Sequence, residues 1–147
     1  MLVTHSACDI VHRYEQDKLE FLVFDYRCVD PNTNRLTEKE IRFPAGTGNL
    51  GESTEETSIR KLYEETGLIT TDVERIARRQ AGQDHEKYVF LIPYSRCSGE
   101  LRQGLLSSGG DEMSPPYWMP IFSLMEMIAP VHFWAYRVAI EHFRKQR

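Results

Sequence analysis

Four ionisable residues at fixed spacing, Glu52, Arg60, Glu64 and Glu65, stand between a loop bearing Gly46, Gly48 and Gly51 and a terminating Gly67. Carboxylates held this close repel one another unless a cation or a proton compensates. Hard divalent cations such as magnesium take oxygen ligands, a few carboxylates with a phosphate among them. Glycines let backbone approach an oxyanion or a cation closely. The pattern points to divalent-cation and phosphate chemistry. The competing reading is a solvated helix face, with Arg60 and Glu64 one turn apart and Lys61 and Glu65 on the neighbouring stripe. Such ion pairs contribute only ~0.2–0.5 kcal/mol each.

These residues must be positioned by a helix, and the flanking sequence specifies one. Ser53 suits the N-cap, and Glu56 three residues later completes a capping box. Residues 54–66 contain neither Gly nor Pro, with Ile59 and Leu62 marking a buried stripe and Tyr63 or Thr66 at its edge. Gly67 fits the left-handed position that ends a helix. Around this helix, residues 8–14 suggest a short strand, and "LEFLVFDYRCV" (19–29) a stronger one rich in strand formers. "DPNTNR" (30–35) is a turn. "KEIRFPA" (39–45) is a returning strand closed by Pro44, which cannot donate to a ladder. Residues 71–82 alternate as a strand, and 87–95 is apolar on both faces, as a central strand would be. Residues 98–116 form a long loop rich in Gly, Ser and Pro. Residues 117–128 give a short strand and a helical turn, and 131–147 a C-terminal helix, basic at its end. The order predicts one α+β domain spanning 1–147, a mixed sheet with helices on both faces.

Composition bounds the function classes. The chain has 147 residues, long enough for a real core, with 41% hydrophobic and 27% charged residues. Its 22 acidic against 18 basic residues give a net charge of -4, which argues against bulk nucleic-acid binding. A nucleotide remains compatible, because a few local bases suffice for a small anion. Cys8, Cys28 and Cys97 lack metal-ligand spacing and are odd in number, which predicts free thiols in a reducing compartment. No signal-peptide pattern and no apolar run of membrane-spanning length is present, so a cytoplasmic location and no membrane contact are expected.

The segment Gly46–Leu68 resembles the Nudix box, G-x5-E-x7-R-E-U-x-E-E-x-G-U, with U a bulky aliphatic residue. Gly46, Glu52, Arg60, Leu62, Glu64, Glu65, Gly67 and Leu68 fall in register, eight of the nine specified positions. The preceding "RFPAG" resembles the strand end that leads into the box. The match covers 23 residues directly, and the order of elements is compatible over nearly the whole chain. The resemblance implies the Nudix-type α/β/α sandwich. It also implies a magnesium-dependent hydrolase, manganese being an alternative, of a nucleoside diphosphate linked to another group. Carried over by position, Glu64 and Glu65 resemble metal ligands and Glu52 the acid that completes or supports the metal shell. Arg60 resembles the residue that orients a neighbouring carboxylate, and the carbonyl of Ala45 or Gly46 is a further ligand. The implied reaction is attack of water on a phosphorus of the diphosphate.

Lys61 departs from the pattern, standing where the family places a glutamate. A charged lysine cannot ligate magnesium, which leaves the water-activating base unassigned. The resemblance directs attention to the loop before the last strand, where Glu112, then Asp111, are candidates for the added ligand or base, six residues before Trp118. The alternative function is a Nudix-fold module that binds a nucleotide or partner with weak or no hydrolysis. Arg75, Arg78, Arg79, Arg96 and Arg102 are candidates to meet phosphates. Tyr14, Phe24, Tyr88, Tyr94, Tyr117 and Trp118 are candidates to stack on a base, each weighed against a plain surface or core role.

Overall fold

The structure, a computed structural model, describes residues 2–146. Strands β1 (Thr4–Glu15) and β2 (Lys18–Cys28) form a hairpin. Its two-residue loop, Gln16–Asp17, holds both residues at positive φ, 52° and 64°, the geometry that matches the twist of the flanking strands. β1 is longer than the strand expected over 8–14 because it is paired along its whole length. The parallel strand β6 (His85–Pro93) lies along Thr4–His12, β4 (Ala45–Thr47) lies against Ser6–Cys8, and β2 takes the rest.

β3 (Glu40–Arg42) returns antiparallel to β2 as expected. The segment does not stop at Pro44, however. The chain steps across to β1, where the Asp9 N–H donates to the Pro44 carbonyl, and continues as β4. β5 (Glu74–Gln80) occupies the core of the strand expected over 71–82 and pairs with β6, which is internal between β5 and β1. The expected long loop over 98–116 is corrected by the structure. It contains a small hairpin, β7 (Leu106–Ser108) and β8 (Asp111–Met113), turning at Gly109–Gly110 with φ of 57° and 91°. Three-residue strands carry too little alternation to be read from pattern. β8 and β9 (Tyr117–Pro120) both add to β2, and the main path runs β5-β6-β1-β2-β8-β7. One parallel pair among antiparallel ones makes the sheet mixed.

Alternate strand residues face opposite layers. Ile10, Phe21, Val23, Val89 and Leu91 pack on Ala135, Tyr136 and Ala139 of the C-terminal helix α3 (Phe133–Lys145). Val11, Leu22 and Ile92 pack on Leu62 of α1 (Thr54–Thr66). The result is the expected α/β/α sandwich. A short helix, α2 (Ile121–Leu124), follows β9, and a 3-10 turn over Pro130–His132 precedes α3. The expected helix 131–147 therefore begins two residues late, and Arg147 lies outside the described residues.

Candidate functional site

The capping box of α1 forms as the sequence requires: the Ser53 hydroxyl accepts from the Glu56 N–H, and the Glu56 carboxylate accepts from the Ser53 N–H. Gly67 ends the helix at φ 86°, its N–H donating to the Tyr63 carbonyl. These two ends fix the helix against β4. The face α1 turns to the sheet is more polar than the Ile59–Leu62 stripe expected: Thr57, Ser58, Leu62, Glu65 and Thr66 are buried, Ile59 is half-buried and Tyr63 exposed. Beneath Ser58 lies Asp9 of β1, fully buried, whose Oδ1 accepts from the Ser58 hydroxyl at 2.6 Å. Burial pushes the Asp9 carboxyl up, against the Ser58 hydrogen bond and with the Glu65 charge, and its Oδ2 has no partner.

Glu52 sits just ahead of the helix and folds back on Arg60. Arg60 Nε donates to Glu52 Oε2 at 2.8 Å and Nη2 to Oε1 at 2.9 Å, the bidentate fork geometry. The Thr57 hydroxyl at 2.6 Å and the Asn49 N–H at 3.0 Å complete the shell of Glu52. Arg60, opposed by modest burial, thus holds the Glu52 carboxyl down to about 2. The remaining Arg60 donors reach both oxygens of Glu64 at 3.2 Å and the Thr47 carbonyl at 3.0 Å. One guanidinium therefore ties the loop, the helix start and Glu64 together.

Lys61 lies on the sheet-facing side of α1, one turn before Glu65. A side chain at Gly46 would collide with the Lys61 stem, so the lysine runs directly over the Gly46 backbone. Its ammonium rests 3.2 Å from Glu64 Oε1. Glu64 is lowered: burial raises it, but Lys61 and Arg60 outweigh that. Glu65 points inward, 5% exposed, and accepts the Ala45 N–H at 2.9 Å. Burial pushes Glu65 up to about 7, with the Ala45 bond and the Lys61 charge pulling the other way.

A divalent ion needs several oxygens converging at bonding distance. Among the described residues, no three His, Cys, Asp or Glu side chains come together in that way. Glu52 is saturated by Arg60, Thr57 and Asn49, and Glu64 carries two cations already. The Lys61 stem covers Gly46, where a backbone ligand was expected. Acceptor capacity is left there on Glu65, beside the Ala45–Gly46 backbone, and on the solvent side of Glu64. As arranged, these residues do not fit a resident divalent ion.

The structure brings Arg60, Glu52, Glu64, Glu65, Ala45 and Gly46 into one cluster and places Glu112 on the β7–β8 hairpin. Glu112 is mid-way along β8, opposite Arg27 of β2 and Ser107 of β7. Asp111 lies opposite Cys28 in the same strand. The link between this hairpin and α1 is Arg102, whose guanidinium donates to the carbonyls of Glu65 at 2.9 and 3.0 Å and of Ser114 at 2.8 Å. Its role is thus to brace the end of α1. Arg78 pairs with Glu86 and Arg96 with Asp72, while Arg75 lies over Tyr88. Of the candidate aromatics, Phe24 is buried, Tyr117 donates to Asp25 and Trp118 packs under Arg13. Only Tyr14 is largely free, remote at the β1–β2 turn. The lysine seat over Gly46 had one sequence signal, the four-residue spacing of Lys61 and Glu65 on the Leu62 side of the helix.

Behind β4, on the α3 side of the sheet, a cavity of about 380 Å³ is lined by Ala45, Gly46 and Thr47 together with Ser6, Lys87 and Trp134. Gly46 is the wall it shares with the Lys61 cluster. His132 lines it too, stacked on Phe43 at 5.7 Å with the Phe43 N–H donating to His132 Nδ1 at 3.0 Å.

Comparison with known proteins agrees with this architecture. The NUDIX domain model matches residues 4–141. No curated protein sequence matches the chain. Among solved structures, the NUDIX domain of Shewanella oneidensis NrtR, crystallised with ADP ribose, superimposes with a TM-score of 0.64 at 20% identity, covering 97% of this chain and 89% of that one. An ADP compounds hydrolase superimposes with a TM-score of 0.69 at 17% identity, covering 97% of this chain and 74% of its own. A mutT/nudix family protein of Listeria innocua gives 0.64 at 14% identity over 99% and 97% of the two chains. At these identities the likeness establishes the fold, while the domain match extends over nearly the whole sequence. Members of this family are hydrolases that generally use divalent metal ions, and the chain belongs to it: it is a NUDIX domain protein.

Proposed function

We propose that this chain binds a nucleoside diphosphate linked to another group at the α1–β4 cluster, and that Lys61 makes hydrolysis slow or absent. The observation that carries this reading is the seat of Lys61, over Gly46 and on Glu64. A fixed ammonium there supplies positive charge to a diphosphate without the open coordination positions through which a metal would activate water. Arg60, Glu52 and the capped N-terminus of α1 hold the loop in shape, and the backbone N–H groups at a helix start favour an anion. The ADP ribose bound by the Shewanella NUDIX domain supports a ligand of this class, in which a diphosphate joins a nucleoside to a second group.

A second reading keeps the hydrolysis implied by the Nudix box: a magnesium- or manganese-dependent pyrophosphohydrolase with Arg60, Glu64 and Glu112 in catalytic roles. The intact Glu52–Arg60–Glu64 relay favours it. No helix among the described residues is long and apolar enough to cross a membrane.

Calorimetric titration with ADP-ribose, nucleotide sugars, NADH, NTPs and dinucleoside polyphosphates in chelator, followed by product assays in magnesium and manganese, separates the two. Saturable binding in chelator with no phosphate-containing product in metal is expected. Metal-dependent turnover of a panel member, with no binding in its absence, would sink the binding reading and establish the hydrolase.

A further inference from the structure

Two prolines leave one end of the sheet unfinished. Pairing of β6 with β1 ends at Pro93, opposite His12, and pairing of β9 with β2 ends at Pro120, opposite Glu20. Proline has no N–H to carry a ladder further. Past these points the β1–β2 hairpin runs on as a two-stranded ribbon, through Tyr14 opposite Leu19 and Glu15 opposite Lys18, to its Gln16–Asp17 turn. α2 leaves from Pro120 on one flank, and the last turns of α3 lie alongside. The hairpin tip, α2 and α3 enclose a second cavity, of about 820 Å³. It lies at the opposite end of β1 from β4, which pairs with Ser6–Cys8.

The floor of this cavity is apolar. His12 and Tyr14 share the α3 face of β1, as Leu19 and Phe21 share that face of β2. Leu19, Ile121, Ile140 and Phe143 are half-buried, packed on the core from one side and meeting the cavity on the other. Phe143 anchors the floor, its ring edge-on to His12 at 4.9 Å and tilted against Phe21 at 6.0 Å. Burial, then the His142 charge, depress His12 to about 4, so the one imidazole at the floor is uncharged at neutral pH. A concave, mainly apolar recess of this size with a few polar groups suits a small molecule rather than a flat protein face.

The mouth is charged. Asp17, Lys18 and Arg144 line it, all exposed, two cations against one carboxylate. The hairpin supplies its own acids to Lys18, with Asp17 directly before it and Glu15 opposite. On α3 the nearby groups are engaged elsewhere. Glu141 lies 4.0 Å from Lys145, and the Gln146 amide meets His142 at 3.0 Å. Glu20 of β2 pairs with Arg13 at 2.8 Å. Among the described residues, Arg144 is thus the cation left to balance a charge brought by a ligand.

We propose that this cavity binds a small anionic amphiphile, its apolar body on Leu19, Ile121, Ile140 and Phe143 and its carboxylate on Arg144. The uncharged His12 lets that body lie over it without stranding a charge. The site is separate from the α1–β4 cluster and stands whether or not that cluster binds a diphosphate.

The test is titration of the full chain with octanoate, octan-1-ol and octyltrimethylammonium, read by backbone amide shifts. Octanoate and octan-1-ol should give saturable shifts at His12, Leu19, Ile121 and Phe143. Octyltrimethylammonium should bind at least about fivefold more weakly than octanoate, since its charge meets Arg144. Arg144→Met should weaken octanoate about fivefold, the most that a solvent-screened ion pair supplies, and leave octan-1-ol within about twofold. Lys145→Met, an equal charge change one residue on, should leave both within about twofold. Both residues are exposed on the last turn of α3, so neither substitution threatens the fold. The proposal is overturned by the absence of saturable shifts with octanoate, or by shifts centred instead on the exposed Met125 and Val131. Equal weakening of octanoate by the two variants, or octyltrimethylammonium binding as tightly as octanoate, also overturns it. So does a dimer in sedimentation that octanoate dissociates, because a second copy would then be the occupant.

Discussion

Lys61→Glu restores the acid that the Nudix pattern specifies and tests what the lysine does. The native ion pair with Glu64 spans 3.2 Å, with the Glu64 side chain 45% exposed, so solvent screens it to about 0.5 kcal/mol. The substitution removes that and adds like-charge neighbours three and four residues on, at about 0.5 kcal/mol each. Glu65, pushed up to about 7 by burial, takes a proton readily near neutral pH, which keeps the repulsive cost within that range. The sum, about 1.5 kcal/mol in chelator, lowers the thermal midpoint of a chain this size by about 3–6 °C. With the lysine stem gone from Gly46, three carboxylates and a backbone carbonyl become available to a divalent ion. Magnesium at one hundred times its Kd would then return about 2.7 kcal/mol, more than the loss. Differential scanning fluorimetry of both proteins, in chelator and in millimolar magnesium, reads this directly. The variant should gain several degrees on adding magnesium and the native protein almost none. An equal magnesium response in both proteins would refute the reasoning, because it would mean that a metal binds despite Lys61. Absence of any response in the variant would show that the lysine was not what kept the ion out.

Arg60→Met should cost about 2 kcal/mol in urea unfolding at neutral pH, through loss of a part-buried bidentate bond to Glu52, and a change under 0.5 kcal/mol would deny Arg60 its bracing role. Gly67→Ala should cost a similar amount, about 2 kcal/mol, because φ there is 86° and a Cβ would strike the Glu100 carbonyl. Protonation should act with opposite signs at two buried groups. His132 is depressed from 6.5 to about 3, so between these values the unfolded chain binds the extra proton and stability falls as pH falls, by at most about 1.4 kcal/mol per unit. His132→Asn, which keeps an acceptor for the Phe43 N–H, should flatten that slope in denaturation profiles between pH 6.5 and 4. Asp9 is raised above 3.8, so its contribution is complete below that pH and is lost as pH rises, and Asp9→Asn should remove this decline.

Local signals carried most of the site. The Ser53–Glu56 box, the helix over 54–66 and the Gly67 stop depend on neighbours within one turn, and each forms where the sequence requires it. The bidentate Arg60–Glu52 pair follows from the same short span. The alternating apolar residues of β1, β2 and β6 likewise determined a two-sided sheet, because a strand buried on both faces must be covered by a layer on each.

What local pattern could not decide was which groups meet across the sheet. Lys61 reads as half of a surface stripe until β4 brings Gly46 beneath it, and only then does its stem lie across the backbone where a cation was expected. Glu112 was read as part of a long loop, whereas the β7–β8 hairpin sets it opposite Arg27 of β2 and Ser107 of β7. His12, Leu19, Ile121 and Phe143 stand in four separate elements and are unremarkable singly; the β1–β2 and β2–β9 pairings and the last turn of α3 bring them round one cavity. Strand pairing at long sequence separation sets these distances, since a shift of one residue would turn every side chain to the other layer. The sequence by itself determined the family, the helix and its acids. The tertiary structure decided which cations face those acids and which are left without one.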